Sequence, residues 1–164
     1  MRHCYISRNY KSISSAGGKA KTDIEEIMDQ MGFVNLGLKQ SNYKNKIIDL
    51  IMTFTGVLTA ISRIRKGDML VLQYPMKKYY EAVCNVAHRK GAKVVTQIHD
   101  LGSFRRKKLT VEKEINRLNH SDAIIAHNET MKKWLLDNGC KAQVTCLGIF
   151  DYLSPAGRNP ERSN

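Results

Sequence analysis

No hydrophobic run in this sequence is long enough to cross a bilayer. The longest, Ile47 to Ile61, falls short of the ~20 apolar residues a spanning helix needs and is interrupted by Asp49, Thr53, Thr55 and Thr59. No transmembrane helix is expected. A signal-peptide core is missing too, because Met1-Arg2-His3-Cys4-Tyr5-Ile6 runs directly into a strand-like segment. The four cysteines, at 4, 84, 140 and 146, make no C-x-x-C pair and share no His at zinc-finger spacing. Cys4 within a strand and Cys84 on a helical apolar face read as buried free thiols, which suits a reduced, cytoplasmic protein. Aromatic residues are 7% of the chain, giving few platforms on which bases could stack. With no recognised reading motif besides, nucleic acid is not expected as a partner.

Phosphate and metal signatures are also absent. Ala16-Gly17-Gly18-Lys19-Ala20 is not G-x-G-x-x-G, so a nicotinamide or flavin fingerprint is excluded. Nor is it a Walker A loop, since Ile13 and Ala20 stand where a glycine and a Ser or Thr are required. No D-x-D carboxylate cluster occurs, and no metal site is expected. Acidic residues are scarce, 15 against 27 Lys and Arg, for a net charge of +12. That surplus favours an anionic partner such as a phosphorylated substrate or a membrane face, or is simply a solvated surface.

What is present is a regular alternation. The 164 residues, 42% hydrophobic and 26% charged, suit one soluble globular domain. Strands are expected at 3–8, weakly at Phe33–Leu36, then at Met69–Leu72, Lys93–Ile98, Ala123–Ala126 and Gln143–Leu147. Between them lie helical patterns. The first carries Ile24, Ile27, Met28 and Met31 and begins at a Thr22/Glu25 capping box or one turn earlier, at Gly17-Gly18. A long helix from about Tyr43 to Arg63 carries a stripe of Ile47, Ile51, Phe54, Leu58 and Ile61. Helices at 76–90, around Val111-Ile115-Leu118 and around Met131-Trp134-Leu135 follow, with Tyr79 and Trp134 read as core and Pro75 in a first turn. This is the pattern of an α/β fold, a Rossmann-like doubly wound parallel sheet of about six strands. The expected domain is 1–153, with 154–164 a disordered or linker tail.

The polar residues that end these strands are the candidate site. Ser7-Arg8-Asn9, Gln73-Tyr74, His99-Asp100 and His127-Asn128 each close an apolar run, and in a parallel α/β sheet those ends share the ligand-binding edge. His99 beside Asp100 has the chemistry of a base or a substrate clamp. Asn128 reads first as the cap of the next helix. Tyr74 is a stacking surface or a rim residue. The glycine pair could turn backbone amides toward an anion, or be a plain turn. The run Arg105-Arg106-Lys107-Lys108 could hold a phosphate or anionic lipid, or be a solvated loop. His3, His88 and His120 have no comparable company.

Taken in order, Gln73-Tyr74-Pro75, Gln97-Ile98-His99-Asp100-Leu101, an Arg-bearing loop, Glu114-Ile115-Asn116, Ser121 through Asn128 and Met131-Lys132-Lys133-Trp134-Leu135 form a recognisable string. It resembles the N-terminal, acceptor-side domain of bacterial GT-B glycosyltransferases. The resemblance is to β-1,6-galactofuranosyltransferase-like proteins and to glucosyltransferases that extend glycans on streptococcal adhesins. The Gly17-Gly18 loop matches as well, and the likeness covers about residues 1–153. It implies transfer of a sugar from a nucleotide-sugar donor, a UDP-sugar, to a glycan, lipid-linked or glycoprotein acceptor in polysaccharide or glycoprotein assembly. No other cofactor and no metal are implied. Under this resemblance His99 and Asp100 are catalytic. Ser7, Asn9, Gln73, Tyr74, Arg105, His127 and Asn128 contact substrate, and Gly17 and Gly18 approach the donor diphosphate. Such an enzyme needs a second, donor-binding domain, so the expectation is a truncated or split enzyme, inactive or weakly active without a C-terminal fragment. A cytoplasmic protein, peripheral at an anionic membrane surface or forming a homo-oligomer, is consistent with these features. The alternative is a non-enzymatic Rossmann-like binding or scaffolding module.

Overall fold

A computed structural model describes residues 1–7, 16–37, 45–76, 79–104 and 109–148. The alternating pattern forms β1 (His3–Tyr5), α1 (Ala16–Gln30), β2 (Val34–Asn35), α2 (Lys46–Ser62), β3 (Met69–Tyr74) and α3 (Tyr80–Arg89). It continues through β4 (Lys93–Ile98), a 3-10 turn (Gly102–Phe104), α4 (Val111–Leu118), β5 (Ala123–Ala126), α5 (Glu129–Asp137) and β6 (Gln143–Cys146). The strands make one six-stranded sheet in the order β2-β1-β3-β4-β5-β6. Every pairing is parallel. The expected α/β, Rossmann-like class is the observed one. β3 and β4 sit at its centre and pair along their full length, Met69 against Lys93 through Tyr74 against Ile98.

Because side chains alternate along a strand, each strand divides its residues between two faces. Cys4, Ile6, Leu70, Leu72, Tyr74, Val94, Ile98, Ile124 and Ala126 join the main core with Val57 and Ala60 of α2, Val83 of α3, Ile115 and Leu118 of α4 and Leu135 of α5. On the opposite face Tyr5 and Val71 pack with Met28 and Ile24 of α1. Helices α2 to α5 therefore lie on one face, and α1 on the other. Burying each of the larger aliphatic side chains is worth about 1.5–3 kcal/mol, and Leu70, Leu118, Ile98 and Leu135 are all fully buried.

Local chemistry fixes the helix ends. Asn45, Thr110 and Asn128 accept hydrogen bonds from the amides of Ile47 (2.9 Å), Lys113 (3.3 Å) and Met131 (2.8 Å), capping α2, α4 and α5. The Lys90 ammonium donates to the carbonyls of Ile61, Ser62 and Ile64 at 2.7, 3.0 and 3.1 Å. It thereby satisfies the C-terminus of α2 with a charge of the favourable sign. Gly91, at φ +76, then turns the chain into β4.

Several local expectations are corrected. α1 begins at Ala16, so Gly17-Gly18 form its first turn, and Thr22 with Glu25 lies mid-helix where no capping box can form. Pro75 follows β3 directly, whereas α3 begins only at Tyr80. Tyr79 and Trp134 are half-buried and only border the core, the Trp134 ring lying 5.0 Å from the exposed ring of Phe104 at a tilt of 53°. The α2 stripe faces outward: Val57, Ala60 and Ile64 are buried, while Ile47, Ile51, Phe54 and Leu58 are not. Asn9, the Arg105–Lys108 run and the 154–164 tail lie outside the described residues.

All four cysteines are free thiols. Burial pushes Cys4 up to about 11 and Cys84 up to about 12, as inert core thiols should behave. No helix is long and apolar enough to cross a membrane, as far as the described residues go.

Candidate functional site

Strand parity decides which of the polar strand ends meet. Ser7, Gln73, His99 and His127 are odd-numbered residues at the ends of β1, β3, β4 and β5, on the face that carries α1. Extending the registers sets Ser7 beside Gln73 and His99 beside His127, while Gln73 itself pairs with Gln97, so His99 lies one step beyond it along the edge. Gln73 is buried, and its carboxamide nitrogen donates to the Lys21 carbonyl at 3.2 Å and to Glu25 Oε1 at 3.3 Å, both on α1. The other Glu25 oxygen accepts from Ser7 Oγ at 2.6 Å. Gln73 Oε1 lies 2.7 Å from His99 Nε2. The His99 and His127 rings are 6.0 Å apart at 66°, edge to face. A continuous polar chain thus runs from β1 through α1 and β3 to β4 and β5.

This network sets the state of His99. Because the Gln73 nitrogen is committed to Lys21 and Glu25, its oxygen is the acceptor toward His99. His99 Nε2 therefore carries the proton, and Nδ1 presents a lone pair. Burial first, then the positive charge of Lys21 and the neighbouring His127, pull the His99 pKa from 6.5 down to about 3. The ring is neutral throughout the physiological range.

The segment after β4 is anchored from below. The His99 amide donates to the Tyr74 carbonyl at 2.9 Å, extending the ladder past the strand. Glu114 of α4, with 0% exposure, accepts from the Gly102 amide at 2.7 Å, the Ser103 amide at 2.8 Å and the Tyr74 hydroxyl at 2.9 Å. A Cβ at Gly102 would stand 2.8 Å from a Leu109 methyl and 3.3 Å from Glu114 Oε1, so any side chain there would press on both. One buried carboxylate thereby fixes the turn that carries Asp100, which is half-buried at the end of β4.

Tyr74 does not take the stacking or rim position expected of it. Its even number places the ring on the main-core face, 1% exposed. Burial and the Glu114 carboxylate both raise its pKa. Asn128 spends its side chain on the cap of α5. The structure therefore gathers Ser7, Gln73, His99 and His127, places Asp100 on the adjoining turn and Gly17-Gly18 in the first turn of α1, and sends Tyr74 into the core. Asn9 and Arg105 lie outside the described residues.

Lys21, Glu25 and Glu114 are participants that the strand-end pattern misses. Lys21 and Glu25 complete the i, i+3, i+4, i+7 face of α1 with Ile24 and Met28, so their spacing marked them. Glu114 sits among Val111, Ile115 and Leu118, a carboxylate in the apolar stripe of a helix, which is itself a signal.

Chemically, the edge offers a fixed neutral imidazole, a second imidazole, a carboxamide, a hydroxyl and two carboxylates. These groups suit a ligand rich in hydroxyls. Among the described residues no group of three His, Cys, Asp or Glu side chains could hold a metal ion. No curated protein matches the chain. A family model described as glucosyltransferase 3-like, N-terminal domain, matches residues 3–149, which include all six strands and the whole polar edge. The chain belongs to the glucosyltransferase 3-like N-terminal domain family.

Proposed function

We propose that this domain is the acceptor-side half of a GT-B glycosyltransferase, of the kind that includes galactofuranosyltransferase-like enzymes. It moves a sugar from a nucleotide-sugar donor, a UDP-sugar, to a glycan, lipid-linked or glycoprotein acceptor. The observation that carries this reading is the Glu25–Gln73–His99 network at the ligand-binding edge of a glucosyltransferase-like N-terminal domain. In the reaction, an acceptor hydroxyl oxygen attacks the anomeric carbon. The bond from that carbon to the diphosphate oxygen breaks, and the hydroxyl proton passes to a base. A His99 held near pKa 3 is a weak base, so its part is to orient the acceptor hydroxyl. Asp100, next in the chain on the turn braced by Glu114, is the better-suited base. Ser7 and His127 bind the sugar hydroxyls while the buried Gln73 holds His99 in place, with Asn9 and Arg105 more peripheral. The first-turn amides at Gly17 and Gly18 face the donor diphosphate. A C-terminal domain supplies most of the nucleotide contacts, and the chain is poorly active without it.

Isothermal titration with UDP and several UDP-sugars, of this chain alone and with a C-terminal donor domain supplied in trans, tests the division of labour. Binding that appears only with the added domain is the expected result. Tight binding by this chain alone would show that the donor site lies here. No binding in either arm would favour a non-enzymatic binding or scaffolding module.

A further inference from the structure

The 3-10 turn after β4 ends on Phe104, which is 66% exposed. An exposed aromatic residue on a loose loop would be ordinary. This turn is not loose, because the buried Glu114 carboxylate holds the amides of Gly102 and Ser103, the two residues before Phe104. The Phe104 and Trp134 ring centroids are 5.0 Å apart and the ring planes meet at 53°, so the pair forms two walls of a corner. Trp134 is half-buried against the main core, and among the described residues its indole N–H donates to no acceptor. Ser103 Oγ, on the same turn, is buried with no partner among the described residues. A braced turn that shows water an aromatic ring and buries an unsatisfied hydroxyl gives up stability, and such departures gather at ligand sites.

Both rings adjoin the polar edge. Phe104 follows Asp100 by four residues, so their Cα atoms are at most about 14 Å apart. Trp134 stands about 9 Å along α5 from the Asn128 cap, and His127 immediately precedes that cap. The polar groups lie on the α1 face of the strand ends, whereas Trp134 borders the main core on the other face. A chain of sugar units that begins at His99 and crosses the rim of the sheet therefore reaches Phe104 and Trp134 with a later unit.

We infer that Phe104 and Trp134 form a second acceptor subsite, which stacks a pyranose ring one unit or more away from the reacting hydroxyl. A pyranose carries its hydroxyls around the rim and polarised C–H bonds on its faces. The negative π face of an aromatic ring complements those C–H bonds, and the Trp134 N–H suits a rim hydroxyl. A nucleobase stacks on aromatic rings as well, but the donor nucleotide belongs with the C-terminal domain, and the two rings lie past the acceptor groups. The subsite rests on the acceptor-side reading of the domain and adds a length requirement to it. A monosaccharide fills the polar edge alone, whereas an acceptor of two or more sugars is held at both places.

Trp134 is the only tryptophan in the sequence, so one indole N–H resonance of the isotopically labelled full chain reports on the platform. The chain, with an unlabelled donor domain in trans, is titrated with methyl β-glucoside, cellobiose, gentiobiose and maltose. The glucoside should move the His99 and Asp100 amides and leave the indole still, while one or more of the disaccharides moves both. Phe104→Ala should weaken disaccharide binding at least about fivefold and leave the glucoside within about twofold. Phe104→Tyr, which keeps the ring, should bind as the wild type does. Because Phe104 is exposed, an unchanged thermal midpoint is expected of both variants and shows that they are folded. Disaccharides that move the edge amides but not the indole, or that bind Phe104→Ala as tightly, would overturn the subsite and leave the acceptor-side reading standing. Uridine monophosphate that moves the indole, and no longer does so in Phe104→Ala, would assign the platform to the donor base instead. No sugar response at either place would overturn the subsite and that reading together.

Discussion

His99 shows how much of the site is decided by one side chain's surroundings. In the unfolded chain it titrates near 6.5, and in the folded edge near 3. Between those values the unfolded chain binds the proton first, so stability rises with pH across the window and falls as the pH drops through it. Replacing His99 with Gln removes this titration. Chemical denaturation at intervals from pH 7 to pH 4 should show a flatter decline for the variant than for the wild type. Parallel declines would mean that the imidazole is not held neutral. Ser7, Gln73, His99 and His127 were legible in the sequence as polar ends of apolar runs. The different fates of Gln73 and Tyr74 were legible only through strand parity, which puts adjacent residues on opposite faces. The charge state of His99 was not legible, because it depends first on burial and then on Lys21 and His127 approaching from other elements.

At the scale of elements, the turn after β4 owes its shape to α4. Glu114 accepts from two turn amides and from Tyr74, so the buried carboxylate and its donors stand or fall together. Glu114→Gln turns one acceptor oxygen into a donor facing another donor. The expected cost is about 1–3 kcal/mol in urea denaturation, with the largest loss of hydrogen-exchange protection at Gly102 and Ser103. A loss of protection spread evenly over the sheet would argue against a local brace. Five helices and six strands were readable from period and punctuation, often to the residue, as at Lys93–Ile98 and Ala123–Ala126. Two starts were open for α1, and the earlier, at Gly17-Gly18, is the observed one, since Thr22 and Glu25 only imitate a capping box. Glu25 in fact belongs to the helix face that meets the sheet, where it serves Ser7 and Gln73. The α2 stripe was legible as a stripe, while its outward direction was not, because period alone does not report which face of a helix meets the sheet.

For the whole molecule, the arrangement is directional. Four helices cover one face of the sheet and α1 the other, and the polar groups collect along one edge between α1 and the strand ends. The rigid core beneath that edge lets a few neutral polar groups hold fixed positions, which is what orienting a sugar hydroxyl requires. The most direct test of the account is an NMR titration of the isotopically labelled chain, with an unlabelled C-terminal donor domain supplied in trans, against UDP-glucose and a panel of free monosaccharides. It would follow the imidazole resonances together with the backbone amides. The account predicts shifts confined to Ser7, Gln73, His99, Asp100, His127 and the first turn of α1. Shifts centred on another surface, with that edge unchanged, would contradict it.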